Sequence, residues 1–193
     1  MERDFTARDL AGCCGIYCGL CPKFQSQAKS RCLSCHLGEQ HSYCSLYRCC
    51  VMKHGLHNCS QCEDFPCPKL LRVLGVEEGL DSFVSHQPAL GNLNRIAEIG
   101  LDGHLVEQEE RRSLVEGLLA EYNEGRSMSF YCLACALMPP DLIRQALGLM
   151  KAKINGQEVD ASDLKTKAKA MRAVIQEIAS AEGIELKLRK KKK

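Results

Sequence analysis

Fourteen of the 193 residues are cysteine, and twelve of those fall in the first 67 positions. They are Cys13, Cys14, Cys18, Cys21, Cys32, Cys35, Cys44, Cys49, Cys50, Cys59, Cys62 and Cys67. Their spacing is regular: Cys14-x3-Cys18-x2-Cys21, Cys32-x2-Cys35, Cys44-x4-Cys49 and Cys59-x2-Cys62-x4-Cys67. Two intervening residues let both thiolates meet one cation while the backbone N–H groups between them point at the sulfurs, which makes C-x2-C the usual half of a zinc knuckle. Small residues occupy the middle of each pair, namely Gly19, Ser34 and Ser60. Cysteines buried singly as small apolar residues would show no such spacing. For Cys13 and Cys50, each the direct neighbour of a better placed cysteine, the ligand and bystander readings both stand.

A closed zinc site takes four ligands. The ten best placed cysteines, Cys14, Cys18, Cys21, Cys32, Cys35, Cys44, Cys49, Cys59, Cys62 and Cys67, therefore make two sites with two thiols left over. Adding Cys132 and Cys135 makes three. His36, His41, His54 and His57 lie near the cluster and could replace a thiolate, although the first reading of each is a polar surface residue. Iron–sulfur clusters also take thiolates, and Cys59-x2-Cys62-x4-Cys67-Pro68 has the flavour of a ferredoxin segment without matching either common spacing. Cys14-x3-Cys18-x2-Cys21 is the spacing that radical-SAM enzymes use, but the chain lacks the strand–helix alternation of their partial barrel. Two or three zinc ions are expected, with [4Fe-4S] as the alternative.

The run "CCGIYCGLCPKF … CLSC … CSLYRC … CSQCEDFPC", residues 13–67, resembles the domain of unknown function 3795 family of bacterial and archaeal proteins. Members share a CGLYCGLCP opening, a C-x-G-C pair, a C-x4-C pair and a C-x2-C-x-D-F-P-C close. Longer members carry a segment similar to "EYNEGRSMSFYCLAC" at 121–135. The family is described as zinc-binding and has no established activity, so the resemblance implies metal ligands at the ten matching cysteines and no substrate. Ser34 stands where the family commonly has glycine, and Cys135 is not expected in the typical member.

A second patch with chemical potential is "YNEGRSMSFYC" at 122–132. Arg126 can grip a carboxylate or phosphate bidentately. Ser127 and Ser129 open a helix whose N–H groups favour an anion, and Cys132 sits on its first turns, where a thiolate is favoured. Arg126, Ser127 and Ser129 are thus a candidate anion site. The competing view is a turn at Asn123 and Gly125, serine caps, and packing by Phe130 and Tyr131. No nucleophile–base pair, phosphate loop or dinucleotide fingerprint occurs, so whether the chain is an enzyme stays open.

These groups need elements to position them. Residues 1–70 hold few apolar side chains and cannot offset their chain entropy with a hydrophobic core, so metal is the expected staple. From 69 to 100 the pattern predicts short helices broken at Gly75, Gly79, Pro88, Gly91 and Gly100. Leu105, Leu114, Val115, Leu118, Leu119 and Tyr122 mark one face of a helix ending near Gly125. A helix over 128–138, capped by Ser127 or Ser129, stops at Pro139-Pro140. Asp141 opens the next, with Leu142, Ala146, Leu149 and Met150 inward. Leu164, Ala168, Met171, Ile175 and Ile178 stripe the last helix. A short strand and a basic tail follow. The fold expected is mainly α, with a metal-knuckle region of little regular structure packed on a helical region. Its parts are a Cys-rich region (1–70), a helical region (71–160), and an amphipathic helix with its tail (161–193).

Charge and hydropathy narrow the function. Basic residues outnumber acidic ones by 8 to 6 over 1–70, trail them 6 to 12 over 71–150, and lead 12 to 6 over 151–193. Such a thin basic excess over the knuckles disfavours nucleic acid as a partner, and tails such as "KLRKKKK" are usually solvated. No run approaches the roughly 18 apolar residues of a membrane span, and "MERDFTARDL" lacks the apolar core of a signal peptide. A reducing cytoplasm is therefore expected, where clustered cysteines hold metal rather than disulfides. The function expected is that of a cytoplasmic, Cys-rich, zinc-binding protein with mainly structural sites and a protein partner or small anionic substrate. The alternatives are an iron–sulfur protein in electron transfer or an anaerobic redox enzyme, and a zinc- or thiol-dependent enzyme using Arg126 and Cys132.

Overall fold

The computed structural model describes residues 5–38, 43–76 and 79–190, so His41 and the last three lysines lie outside the described residues. The fold is mainly helical. Its helices are α1 (Pro22–Gln25), α2 (Ser45–Tyr47), α3 (Pro68–Leu74), α4 (Ala89–Tyr122), α5 (Met128–Leu137), α6 (Pro140–Asn155) and α7 (Leu164–Ala181). Among the described residues the only β pairing is an isolated antiparallel bridge between Ala11 and Tyr17. The chain divides into two compact units, Met1–Glu109 with Leu188–Lys193, and Glu110–Lys187.

Ahead of α4, the helices α1, α2 and α3 of the first unit are short and begin at cysteines. Cys21 and Cys67 directly precede Pro22 and Pro68, which occupy the first helical turn, where proline loses no hydrogen bond. Cys44 precedes α2, which runs on into a π-helical turn over Arg48–Lys53. Gly75 ends α3 in the left-handed region at φ 64°. The core here mixes sulfur with aliphatic groups: Cys13, Cys35 and Cys50 pack with Leu46, Leu70, Leu74, Ala89 and Leu93. Gly100, at φ 79° and ψ 165°, interrupts α4, as its position in the sequence predicts. Gly91 does not break the chain as expected. It lies in the first turn of α4, where burial of Ala89 and Leu93 on either side outweighs the weak helix propensity of glycine.

In the second unit Val115, Leu118 and Tyr122 of α4, Tyr131 and Ala134 of α5, Ile143, Ala146 and Met150 of α6, and Met171 and Ile175 of α7 are all buried. The Tyr131 hydroxyl donates to the carbonyls of Tyr122 at 3.1 Å and Ala168 at 3.4 Å, tying α4, α5 and α7 together. Arg111 donates to the carbonyls of Cys135 and Met138, which the end of α5 leaves unpaired. Two inward faces differ from expectation. α6 turns Ile143 rather than Leu142 and Leu149 fully inward, and the start of α7 leaves Leu164 at 42% exposure. The 3–4 step of 143, 146 and 150 keeps one narrow stripe, which the adjacent apolar positions blurred in the sequence.

The short strand expected after α7 does not form. Instead the segment returns Arg189 to the first unit, where it meets Asp81. The Arg189 amide donates to the Asp81 carboxylate at 2.8 Å and its guanidinium at 2.9 Å, while the Asp81 amide donates to the Arg189 carbonyl at 3.0 Å. His86 adds a backbone N–H at 2.7 Å.

Candidate metal centre

The first sulfurs sit on a tight turn. The Gly12 amide donates to the Ile16 carbonyl at 2.8 Å and the Gly15 amide to the Gly12 carbonyl at 2.9 Å, putting Cys13 and Cys14 at the tip. Gly15 has φ 88°, and a Cβ there would fall 2.1 Å from the Ala89 carbonyl oxygen, so only glycine lets the turn close on α4. Asn92 fastens the contact by donating to the Gly15 carbonyl at 2.8 Å. The Cys59 amide then donates to the Cys13 carbonyl at 2.9 Å, bringing the last knuckle onto the first.

That last knuckle is shaped by a residue the sequence reading passed over. Asn58 is buried, and its side-chain oxygen accepts from the Ser60 amide at 3.1 Å. The Gln61 side chain accepts from the amides of His57 and Asn58 in return. This reciprocal cap fixes the 3-10 turn Cys59–Gln61, and the Cys62 amide closes it on the Cys59 carbonyl at 3.2 Å. The N-x-x-Q pattern of "NCSQ" was the available signal.

The thiols gather in two overlapping groups, and none is in a disulfide. In one, hydrogen bonds link Cys18 to Cys35, Cys35 to Cys13, Cys13 to Cys50 and Cys50 to Cys59. Cys14 lies within electrostatic reach of Cys35 and Cys44, and Cys21 of Cys32. In the other, a cavity of about 30 Å³ is lined by Cys49, Cys50, Cys59, Cys62, Cys67 and His54, and floored by Leu46 and Leu70. Cys13 and Cys50, which sequence spacing left undecided, are therefore the central links of the sulfur chain.

Burial is the largest influence on Cys14 and Cys21. It pushes the Cys14 thiol up to about 12, against the opposing pull of the Ile16 N–H. It also raises Cys21, although the N–H groups of Phe24 and Lys23 point at that sulfur. Thiols that donate rise and thiols that accept fall: Cys35 is lowered by donation from Cys13 and Cys18, and Cys50 by donation from Cys13 and Cys59. Among the described residues no three or more His, Cys, Asp or Glu side chains converge as a ready-made metal site. Two of the nearby histidines are otherwise engaged. His36 and His57 stack with ring centroids 4.3 Å apart, and each contacts a backbone carbonyl, of Ala11 and Arg8 respectively.

The remaining candidate residues belong to the second unit. Cys132 and Cys135 are buried on α5, and burial pushes Cys135 up to about 12. Ser127 occupies the N-cap position of α5 without a side-chain capping bond and is buried, whereas Ser129 lies one residue inside the helix and is exposed. Arg126 lines an open groove together with side chains of α7. No helix is long and apolar enough to cross a membrane among the described residues. Compared with known proteins, the chain matches no family model, no curated protein and no solved structure.

Proposed function

We propose that residues 13–67 form a structural zinc-binding module in a reducing compartment, and that the chain acts as a Cys-rich metal protein. The observation that carries this is the small cavity lined by five cysteines and His54 beside a chain of hydrogen-bonded thiols. Cys49, Cys59, Cys62 and Cys67 supply the four thiolates of one closed site. Four of Cys14, Cys18, Cys21, Cys32, Cys35 and Cys44 supply the other, which leaves two thiols over. Closing either site needs the cysteine side chains to converge further than they do here. A cation would also reverse the sense of the thiol ionisation, since burial now holds Cys14 and Cys21 neutral and a bound metal takes thiolate.

The cavity has room for about one water-sized sphere, which suits a single ion better than a cuboidal cluster. The resemblance of residues 13–67 to the domain of unknown function 3795 family supports the same assignment. The deciding experiment is metal analysis and an optical spectrum on protein purified without oxygen. Two or three zinc ions per chain and no colour are expected. Iron with acid-labile sulfide and absorption near 400 nm would replace zinc by clusters, with the same cysteines as ligands.

A further inference from the structure

The groove beside Arg126 holds four cations that make no ion pair among the described residues. It has a volume of about 680 Å³ and gathers Arg126, Lys165, Lys169 and Arg172 against a single carboxylate, Glu124, with Phe130 as an apolar wall. Lys165, Lys169 and Arg172 follow one another at steps of four and three, so they share one face of α7, beside the buried stripe of Ala168, Met171 and Ile175. Arg126 joins them from the turn before α5, where Gly125 at φ 96° and the side chain of Asn123 set the bend.

Several basic residues elsewhere in the second unit are paired, although exposed Lys151 makes no ion pair among the described residues. Arg144 meets Glu110 and Asp141, and Lys153 meets Glu158 at 3.0 Å. None of the four groove cations makes an ion pair within the described residues; Arg172 instead lies 5.1 Å from the centroid of the Phe130 ring. Like charges three and four apart on a helix repel one another. Four of them around one concavity create a local positive potential that an anion relieves.

We infer that this groove is a binding site for a small molecule carrying two or more phosphate groups. The formal charge of the lining, four cations and one carboxylate, complements a polyphosphate chain better than a single phosphate. Arginine forks and lysine point charges are the groups that hold phosphate. The volume lies in the range of small-molecule sites, and its concave form suits such a ligand better than a long polymer backbone. The site lies wholly in the second unit, so it stands or falls apart from the metal reading.

The test is calorimetric titration of the full, metal-loaded chain at low salt with orthophosphate, tripolyphosphate and ATP. Tripolyphosphate is expected to bind at least about tenfold more tightly than orthophosphate, and to weaken as added salt screens the charges. Equal affinity for ATP and tripolyphosphate assigns recognition to the phosphate chain alone, and tighter ATP binding adds a role for Phe130; both support the site. Lys169→Ala and Arg126→Ala, one on α7 and one in the turn, should each weaken binding by about tenfold, as loss of one charge-assisted contact does. Helix content and metal content should not change, because both side chains are exposed. Absence of tripolyphosphate and ATP binding up to about 1 mM, a free energy near that of non-specific association, would overturn the proposal. So would undiminished binding in a Lys165→Glu/Lys169→Glu/Arg172→Glu variant.

Discussion

The two units bury comparable cores by different chemistry. The second packs aliphatic and aromatic side chains from helices of 10, 16 and 18 residues after the end of α4. The first sets helices of 4, 3 and 7 residues against the start of α4 and mixes Cys13, Cys35 and Cys50 with aliphatic side chains in the space between them. A buried thiol contributes little more than a small apolar residue until a cation takes its proton. Long amphipathic helices therefore supply their own cohesion, whereas under the proposed metal function a run of turns with a sulfur-filled centre would depend on what the sulfurs bind.

The sharpest way to break this contrast is to remove metal. A structural zinc site contributes on the order of 10–16 kcal/mol of binding free energy that is also folding free energy. A strong chelator should expose residues 13–67 to protease while the far-ultraviolet signal of α5, α6 and α7 persists. Unchanged cleavage after stripping would show that the first unit holds itself together. The reverse experiment acts on the second unit: Ile175→Ala empties a fully buried site on α7 and should cost about 2–5 kcal/mol. Denaturant unfolding should register that loss with metal content unaltered.

Asp81 tests whether the first unit also needs its ionic clamp. Its side chain is buried, although the Arg189 side chain is 31% exposed, so Asp81→Asn should cost roughly 2 kcal/mol, below the range for a fully buried pair. Burial favours the protonated carboxyl, but the Arg189 guanidinium and amide and the His86 amide outweigh it and hold the group below its ordinary value of 3.8. A depressed carboxyl stabilises the fold above its unfolded value and loses that contribution as pH falls through the folded one. The margin of the native chain over Asp81→Asn should thus be full near neutrality and shrink below pH 3.8, as measured by urea unfolding at a series of pH values. The smallest effect has the opposite sign. Ser34 sits at φ 87°, and its buried hydroxyl has no partner among the described residues, so Ser34→Gly should raise stability by about 1 kcal/mol. A melting temperature that falls instead would mean the hydroxyl is used in the native state.

The helices of the second unit were legible because periodicity, proline stops and glycine ends agreed with one another. The Pro139-Pro140 stop after α5 and the stripe of Ala168, Met171, Ile175 and Ile178 came through with little change. The cysteine set was legible from spacing alone, but its inner order was not. Cys13 and Cys14 are neighbours in sequence, and which faces the core depends on how the Gly12–Ile16 turn meets α4. Arg189 read as part of a solvated tail because its partner lies 108 residues upstream. The groove was half visible: Arg126 stood out, whereas Lys165, Lys169 and Arg172 looked like the ordinary polar side of a helix until folding set them beside it.

The reach from Asp81 to Arg189 also orders events during synthesis. Chains emerge at about 5–20 residues per second, so the carboxylate waits roughly 5–20 seconds for a guanidinium 108 positions later. Throughout that interval the twelve cysteines of residues 13–67 are already made, and every residue of the second unit is translated before the strap arrives. The first unit to be started is thus the last to be finished.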